Sequence, residues 1–144
     1  MVRLLPQEDQ VKRSNMNILG VDFGTKRIGL AWMQTGLDIV LPFGVVERDS
    51  QNDVPDALLQ CIKTEKITKI VLGLPYTLED KSENQNTQRV RKFAKKLADA
   101  SGVLVVFTDE RLTSFEADNM GGEASRDEKA AMAILHTYKD EQGM

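Results

Sequence analysis

One carboxylate, Asp22, stands between two short apolar runs in the segment 17–32, which has the sequence NILGVDFGTKRIGLAW. The runs Ile18 to Val21 and Ile28 to Trp32 are rich in large or β-branched residues, and Gly24 marks the turn between them. This pattern predicts a β-hairpin whose first strand ends at Asp22. A strand that is apolar on both faces is usually central in its sheet, so Asp22 is expected at the rim of the core, where its charge suits a hard cation. The alternative is that Asp22 only caps the turn.

The chain has 144 residues, a length that predicts one domain with a buried core. Its single cysteine, Cys61, falls in a helical pattern and has no partner for a disulfide, so we interpret it as a core residue. No apolar run approaches the roughly 18 residues that span a bilayer, and we expect a cytoplasmic protein with no membrane partner. Residues 1–16 have mixed charge and little periodicity, which predicts a disordered N-terminal extension before a single domain at 17–141.

The net charge of −3 argues against bulk binding to nucleic acid, because such binding relies on excess positive charge. The charges are nevertheless segregated along the chain. Segment 81–96 holds six basic residues and one acidic residue, whereas segment 109–128 holds seven acidic residues and two basic ones. A basic segment beside an acidic one suits a metal-dependent enzyme that acts on a polyanion. Two solvated helix faces of opposite sign would give the same pattern.

Apolar periodicity predicts strands and helices in the order β-β-β-α-β-α-β-α-α. Polar residues at 49–53 are expected to cap the first helix, and a capping box of Thr113 and Glu116 to begin a short helix that ends at Gly121. The other elements predicted after the hairpin are a strand at 43–47, a helix at 54–65, a strand at 69–74, a helix at 87–101, a strand at 103–108 and a helix at 126–141. The first, fourth and fifth strands are then parallel, and ligands of such sheets bind where the carboxyl ends of the strands emerge.

Three carboxylates are candidates for that edge: Asp22, Glu110 and Asp127. Glu110 follows the fifth strand, and Asp127 lies four residues before Ala131, on the apolar face of the last helix. Converging carboxylates with little positive charge nearby bind Mg²⁺ or Mn²⁺, and a pair of such ions can activate water for phosphodiester cleavage. The alternatives are that Glu110 pairs with Arg111 or Arg91, and that Asp127 only complements the helix dipole.

Six basic residues are candidate contacts for nucleic acid. They are Lys26, Arg27, Arg89, Lys92, Lys96 and Arg111. Lys26, Arg27 and Arg111 are expected near the carboxylates, where they could hold substrate phosphates or orient the carboxylates. The other three recur at i, i+3 and i+7, which places them on one solvated helix face. His136 lies away from the apolar face of the last helix, and we expect it to be solvated rather than to act as a base or ligand.

Five motifs, taken in order, resemble those of the YqgF/RuvX family. They are VDFGTKRIGLAW (21–32), VLGLP (71–75), VRKFAKKLA (90–98), TDERLTSFEAD (108–118) and DEKAAMAIL (127–135). Members of that family are RNase H-like nucleases, described as candidate Holliday junction resolvases and as nucleases that process pre-16S rRNA. The acidic positions of the family fall on Asp22, Glu110 and Asp127, which would be both catalytic residues and metal ligands. The connection between Ala117 and Asp127 has only nine residues and is shorter than is usual in the family.

The resemblance implies an α/β fold of the RNase H-like type, with a five-stranded mixed sheet in the order 3-2-1-4-5 flanked by α-helices. The implied activity is metal-dependent hydrolysis of phosphodiester bonds in structured RNA, such as pre-16S rRNA in ribosome biogenesis, or in branched DNA. We expect a monomer or a weak homodimer. One alternative is a catalytically idle RNA-binding ribosome-assembly factor with the same fold. Another is a nucleotide-binding domain of the actin, chaperone and sugar-kinase type, but that architecture needs two such domains.

Overall fold

The structure, a computed structural model, describes residues 16–37, 39–48, 53–74, 85–109, 122 and 124–143. The elements of this part of the chain are β1 (Asn17–Phe23), β2 (Arg27–Gln34), β3 (Val40–Glu47), α1 (Asp56–Thr64), β4 (Ile67–Leu74), α2 (Gln85–Ser101), β5 (Leu104–Asp109) and α3 (Arg126–Gln142). The short helix predicted after Thr113 lies outside the described residues, as do Glu110 and Arg111. Among the described helices, none is both long enough and apolar enough to cross a membrane.

The five strands form one mixed sheet in the order β3-β2-β1-β4-β5, as predicted. β2 is antiparallel to β1 and β3, whereas β1, β4 and β5 run parallel to one another. The central position of β1 explains its apolar sequence, because Ile18, Leu19 and Val21 are all fully buried. The three parallel strands end on the same side of the sheet, at Phe23, Leu74 and Asp109. We call this side the carboxyl edge.

Helices cover both faces of the sheet. α1 and α2 pack on one face, where Val90 and Phe93 join the core around Leu19. α3 packs on the other face, where Leu135 belongs to the core around Ile18. Because successive side chains of a strand point to opposite faces, alternate residues of β1 contribute to different cores.

The predicted start of β3 is wrong by three residues. β3 begins at Val40 instead of residue 43 and includes Pro42, which an edge strand tolerates because it has solvent on one side. The predicted side-chain cap of α1 is also wrong. Its N-cap is Pro55, which makes no side-chain capping bond, although its carbonyl accepts from Leu58 and Leu59. Cys61 is half-buried and packs against the core, as predicted.

α3 crosses the sheet diagonally. In its first turn Glu128 accepts a hydrogen bond from the main chain of Gly44 in β3, and in its last turn Glu141 accepts one from Thr108 in β5. Gly20 in β1 gives the helix the room that this path needs, because a β-carbon at Gly20 would lie 2.5 Å from Leu135 Cγ. The start of α3 is thereby brought to the hairpin that carries Asp22.

Candidate active site

Asp22 lies at the carboxyl edge, on the face of the sheet that α3 covers. Side chains alternate along β1, and Gly20, two residues earlier, faces Leu135 of α3. Asp22 therefore points to the same side, and it is half-buried. The turn that follows is held by main-chain bonds, since the N–H of Gly24 donates to the carbonyl oxygens of Asp22, at 3.1 Å, and Arg27, at 3.0 Å. These bonds leave the Asp22 carboxylate available for another role.

Asp127, in the first turn of α3, packs over Gly29 of β2, which is the neighbour of Asp22 in the sheet. Gly29 is the register partner of Asp22, and an ideal β-carbon at Gly29 would lie 3.0 Å from Asp127 Cβ. Directly opposed residues of antiparallel strands have Cβ atoms about 4.5–5.5 Å apart, so the Cβ atoms of Asp22 and Asp127 lie within about 8.5 Å of each other. The structure thus brings together two of the three predicted carboxylates, and Asp127 faces the sheet as predicted.

Arg27 supplies a positive charge to this pair of carboxylates. Its Nε donates to Asp127 Oδ2 at 3.0 Å. The side chain of Arg27 is 53% exposed and that of Asp127 is 30% exposed. Exposed ion pairs contribute about 0–1 kcal/mol to stability, so a stronger cationic partner of Asp127 could displace Arg27 at little cost.

Glu128 fixes the start of α3. Its Oε1 accepts from the main chain of Ser125 at 3.0 Å while its own N–H donates to Ser125 Oγ, which completes a capping box. Its Oε2 accepts from the N–H of Gly44 at 2.8 Å. Partial burial alone would raise the pKa of Glu128, but the hydrogen bonds from Ser125 and Gly44 outweigh it and lower that pKa. The charged form of Glu128 therefore anchors the first turn of α3, which contains Asp127, to β3.

The third predicted carboxylate, Glu110, lies outside the described residues. Within the described ranges, no three Asp, Glu, His or Cys side chains are grouped closely enough to hold a metal ion. Thr108 faces α3, because its hydroxyl donates to Glu141 at 2.5 Å. Strand alternation then directs Asp109 to the opposite face, away from Asp22.

The predicted basic contacts are distributed over both faces of the sheet. Lys26 is exposed in the hairpin turn beside Arg27, whereas Arg89, Lys92 and Lys96 lie on α2, on the face opposite Asp127. α2 begins at the carboxyl edge and runs away from it, because its last residues share a cavity with the start of β4. Lys96 consequently lies about 10 Å further along the helix axis than Arg89, which is the member of the three nearest the edge. Lys92 and Lys96 are exposed, Arg89 is half-buried and His136 is exposed, as predicted.

The sequence model of the RuvX family, described as a Holliday junction resolvase, matches residues 16–141. The chain belongs to the RuvX family. Two RuvX relatives are described as candidate pre-16S rRNA nucleases. One, from Maridesulfovibrio salexigens, is 36% identical over 132 residues, which cover 85% of this chain and 97% of the relative. The other, from Synechococcus elongatus, is 37% identical over 134 residues, which cover 86% and 89%.

Among solved structures, T. thermophilus RuvC in complex with a Holliday junction substrate matches with a TM-score of 0.56. The match covers 89% of this chain and 96% of that one at 16% identity, so it bears on the fold alone. The predicted RNase H-like sheet is confirmed, as is the predicted membership of a nuclease family. Membership of the RuvX family argues against the alternative that the chain is a nucleotide-binding domain.

The structure adds two residues to the site of this RuvX chain that were not predicted from the sequence, Glu128 and Arg48. Glu128 had a local signal, since Ser125 and Glu128 have the spacing of a capping box just before a helix. Arg48 had none. It follows the edge strand β3, but its guanidinium reaches back to the hairpin, where Nη1 donates to the carbonyl oxygens of Gly24 and Thr25.

Proposed function

We propose that this protein is a metal-dependent endonuclease that hydrolyses phosphodiester bonds, with Asp22 and Asp127 as catalytic residues and metal ligands. The observation that carries the proposal is the approach of these two carboxylates across Gly29 at the carboxyl edge. Ligands of open α/β sheets bind at such an edge. Glu110, the residue after β5, is proposed as the third acid of the same group.

The donor set fits Mg²⁺ or Mn²⁺, because both are hard cations that prefer carboxylate oxygens. When bound, the ion would supply positive charge that stabilises the developing phosphorane and lowers the pKa of the attacking water.

The residues of the chain itself would bind and orient the substrate. Arg27, once released from Asp127, has a planar guanidinium that fits two phosphate oxygens at once. Lys26 lies beside it in the exposed turn and supplies a second positive charge. Arg89, Lys92, Lys96 and Arg111 are proposed as further phosphate contacts.

The proposed substrate is structured RNA, with the end of precursor 16S rRNA favoured over branched DNA. The support comes from the relatives in Maridesulfovibrio and Synechococcus, which are described as candidate pre-16S rRNA nucleases. The chain matches them over 97% and 89% of their length. The family description points instead to the Holliday junction, so both substrates belong in the test.

The test measures cleavage of a precursor 16S rRNA end and of a four-way DNA junction, each with Mn²⁺, with Mg²⁺ and with EDTA. Cleavage of the RNA with either ion and none in EDTA is the expected result. Cleavage of the DNA junction alone would support the proposed nuclease activity and would show that branched DNA, not RNA, is the substrate. Cleavage that persists in EDTA would refute the role of the metal.

A second candidate is a binding protein without catalysis that acts in ribosome assembly. The Arg27–Asp127 ion pair favours it, because an arginine can neutralise Asp127 without a metal. Binding of the RNA without cleavage under every metal condition would select this candidate.

A further inference from the structure

An aromatic and cationic stack lies at the end of β1, on the face opposite the carboxylates. Phe23 directly follows Asp22, so its side chain points to the α2 face of the sheet. Its ring is stacked on Phe93 of α2, with centroids 4.1 Å apart and an angle of 20° between the planes. The guanidinium carbon of Arg48 lies 4.0 Å from the centroid of the Phe23 ring. The stack joins the end of β1, the residue after β3 and the middle of α2.

The hairpin holds Arg48 in place. Its Nη1 donates to the carbonyl oxygen of Gly24 at 2.5 Å and to that of Thr25 at 3.1 Å. Its main-chain N–H donates to the carbonyl oxygen of Lys26 at 3.0 Å. A guanidinium held by carbonyl oxygens and an aromatic ring loses little rotamer freedom when it binds a ligand, which favours binding.

A second arginine, Arg89, lies close to Arg48. Arg89 is one helical turn before Phe93, on the same side of α2, so it neighbours the ring stack. Burial, and after it the positive charge of Arg89, lower the pKa of the Arg48 guanidinium. Both side chains remain charged, because arginine stays protonated in proteins. A phosphate that lies between two neighbouring guanidinium groups is attracted by both.

We propose that Arg48 and Arg89 together bind one backbone phosphate of the nucleic acid, next to the phosphate that is cleaved at the carboxylates. This inference rests on the proposed function, because it requires a nucleic-acid strand at the carboxyl edge. Asp22 and Phe23 are consecutive residues on opposite faces of one strand end, so a nucleic-acid strand that passes over this end meets the carboxylates first and the arginines next. The site would position the strand and carry no base specificity.

The test measures binding of the precursor rRNA end in EDTA, so that no cleavage occurs, over a range of salt concentrations. The variants are Arg48→Gln, Arg89→Gln and the double variant. Each single change should weaken binding several-fold, and the double variant should lose less than the product of the two single losses. Because each phosphate contact contributes about 0.7 to the salt slope on a single strand, the slope of the double variant should fall by about 0.7. A fall of about 1.4 would mean two separate phosphates and would overturn the shared site.

Arg91→Gln is the matched control. Arg91 is also an arginine of α2 next to a ring, with its guanidinium carbon 5.1 Å from the centroid of Phe107 in β5. It is two residues from Arg89, so it points to a different side of the helix. Its removal deletes the same charge from the same helix and should leave the affinity and the salt slope closer to those of the wild type than either site variant does.

Melting temperatures separate binding from folding. If Arg48→Gln is unfolded, Arg48→Lys keeps the charge but loses the planar fork, and it should still weaken binding. Wild-type affinity and slope in folded Arg48→Lys and Arg89→Gln would overturn the phosphate site and leave the nuclease standing. A wild-type protein that binds neither the RNA nor the four-way DNA junction would overturn both proposals.

Discussion

Gly29 and Asp127 approach each other so closely that a β-carbon at Gly29 would lie 2.0 Å from the carbonyl oxygen of Asp127. A real β-carbon does not come that near to a non-bonded atom. Only glycine at this position therefore lets α3 start where it does. Gly29 is also the register partner of Asp22. A residue without a side chain thus sets the separation of the two carboxylates.

Gly29→Ala should displace the first turn of α3 and with it Asp127. We expect overpacking to destabilise the protein by about 1–3 kcal/mol and the cleavage rate to fall further than the loss of folded protein explains. Gly20→Ala is the matched control, because it crowds the carbonyl oxygen of Ala131 and the side chain of Leu135, one and two turns beyond Asp127 in the same helix. Urea denaturation and cleavage assays with Mn²⁺ would compare the two variants. Equal specific activity of the folded fractions would show that the placement of Asp127 does not matter.

Asp22→Asn should abolish metal-dependent cleavage and leave the fold intact. The turn after Asp22 is closed by the N–H of Gly24 and main-chain oxygens, and an amide side chain does not disturb these bonds. Changes at outer-shell partners of metal ligands cost about 10–100-fold, so loss of a ligand should cost more than roughly 100-fold in rate. Asp99→Asn, at an exposed position of α2, controls for the change in net charge. A folded Asp22→Asn protein with wild-type activity would refute the assignment.

Glu128→Gln should lower the free energy of unfolding at neutral pH by about 0.5–1.5 kcal/mol, because glutamine has one acceptor oxygen where Glu128 uses two, and a hydrogen bond from Ser125 or Gly44 is lost. The pKa of Glu128 is lowered in the folded state, so its charged form stabilises the fold above the ordinary value of 4.5. That contribution is lost as the pH falls through the folded pKa, and the difference between the two proteins should shrink there. Urea denaturation across this pH range, with Glu47→Gln in the exposed part of β3 as control, measures the effect. A difference that stays constant with pH would contradict the role of the charge.

Glu110→Gln should impair cleavage far more than Asp109→Asn, and it should raise the Mn²⁺ concentration needed for half-maximal activity. Asp109 follows Thr108, which faces α3, so its side chain is directed to the other face of the sheet. We predict that the side chain of the next residue, Glu110, points to the same face of the sheet as Asp22. Metal titrations of the cleavage rate for both variants test this. A larger loss for Asp109→Asn at saturating Mn²⁺ would show that the alternation at the end of β5 is wrong.

The elements and their order could be predicted from the sequence because their signals are local. The alternation in segment 17–32, the glycine at its turn and the apolar stripe of residues 130–138 each depend on neighbours a few positions away. For the same reason the position of Asp127, four residues before Ala131, predicted that it faces the sheet. The errors at β3 and α1 concern element starts. Pro42 lies inside the edge strand β3 instead of before it, and the N-cap of α1 is Pro55, which provides no side-chain cap.

The sequence by itself therefore determined the strands, the helices and the edge at which Asp22 lies, and its resemblance to the YqgF/RuvX family gave the order of the sheet. Only the tertiary structure decided which residues meet there. Gly29 opposes Asp22 because of the β1–β2 register, Glu128 accepts a hydrogen bond from Gly44, 84 positions away, and Arg48 reaches the hairpin from the far end of β3. Such contacts join residues that are distant in the chain, and periodicity within one segment carries no information about them.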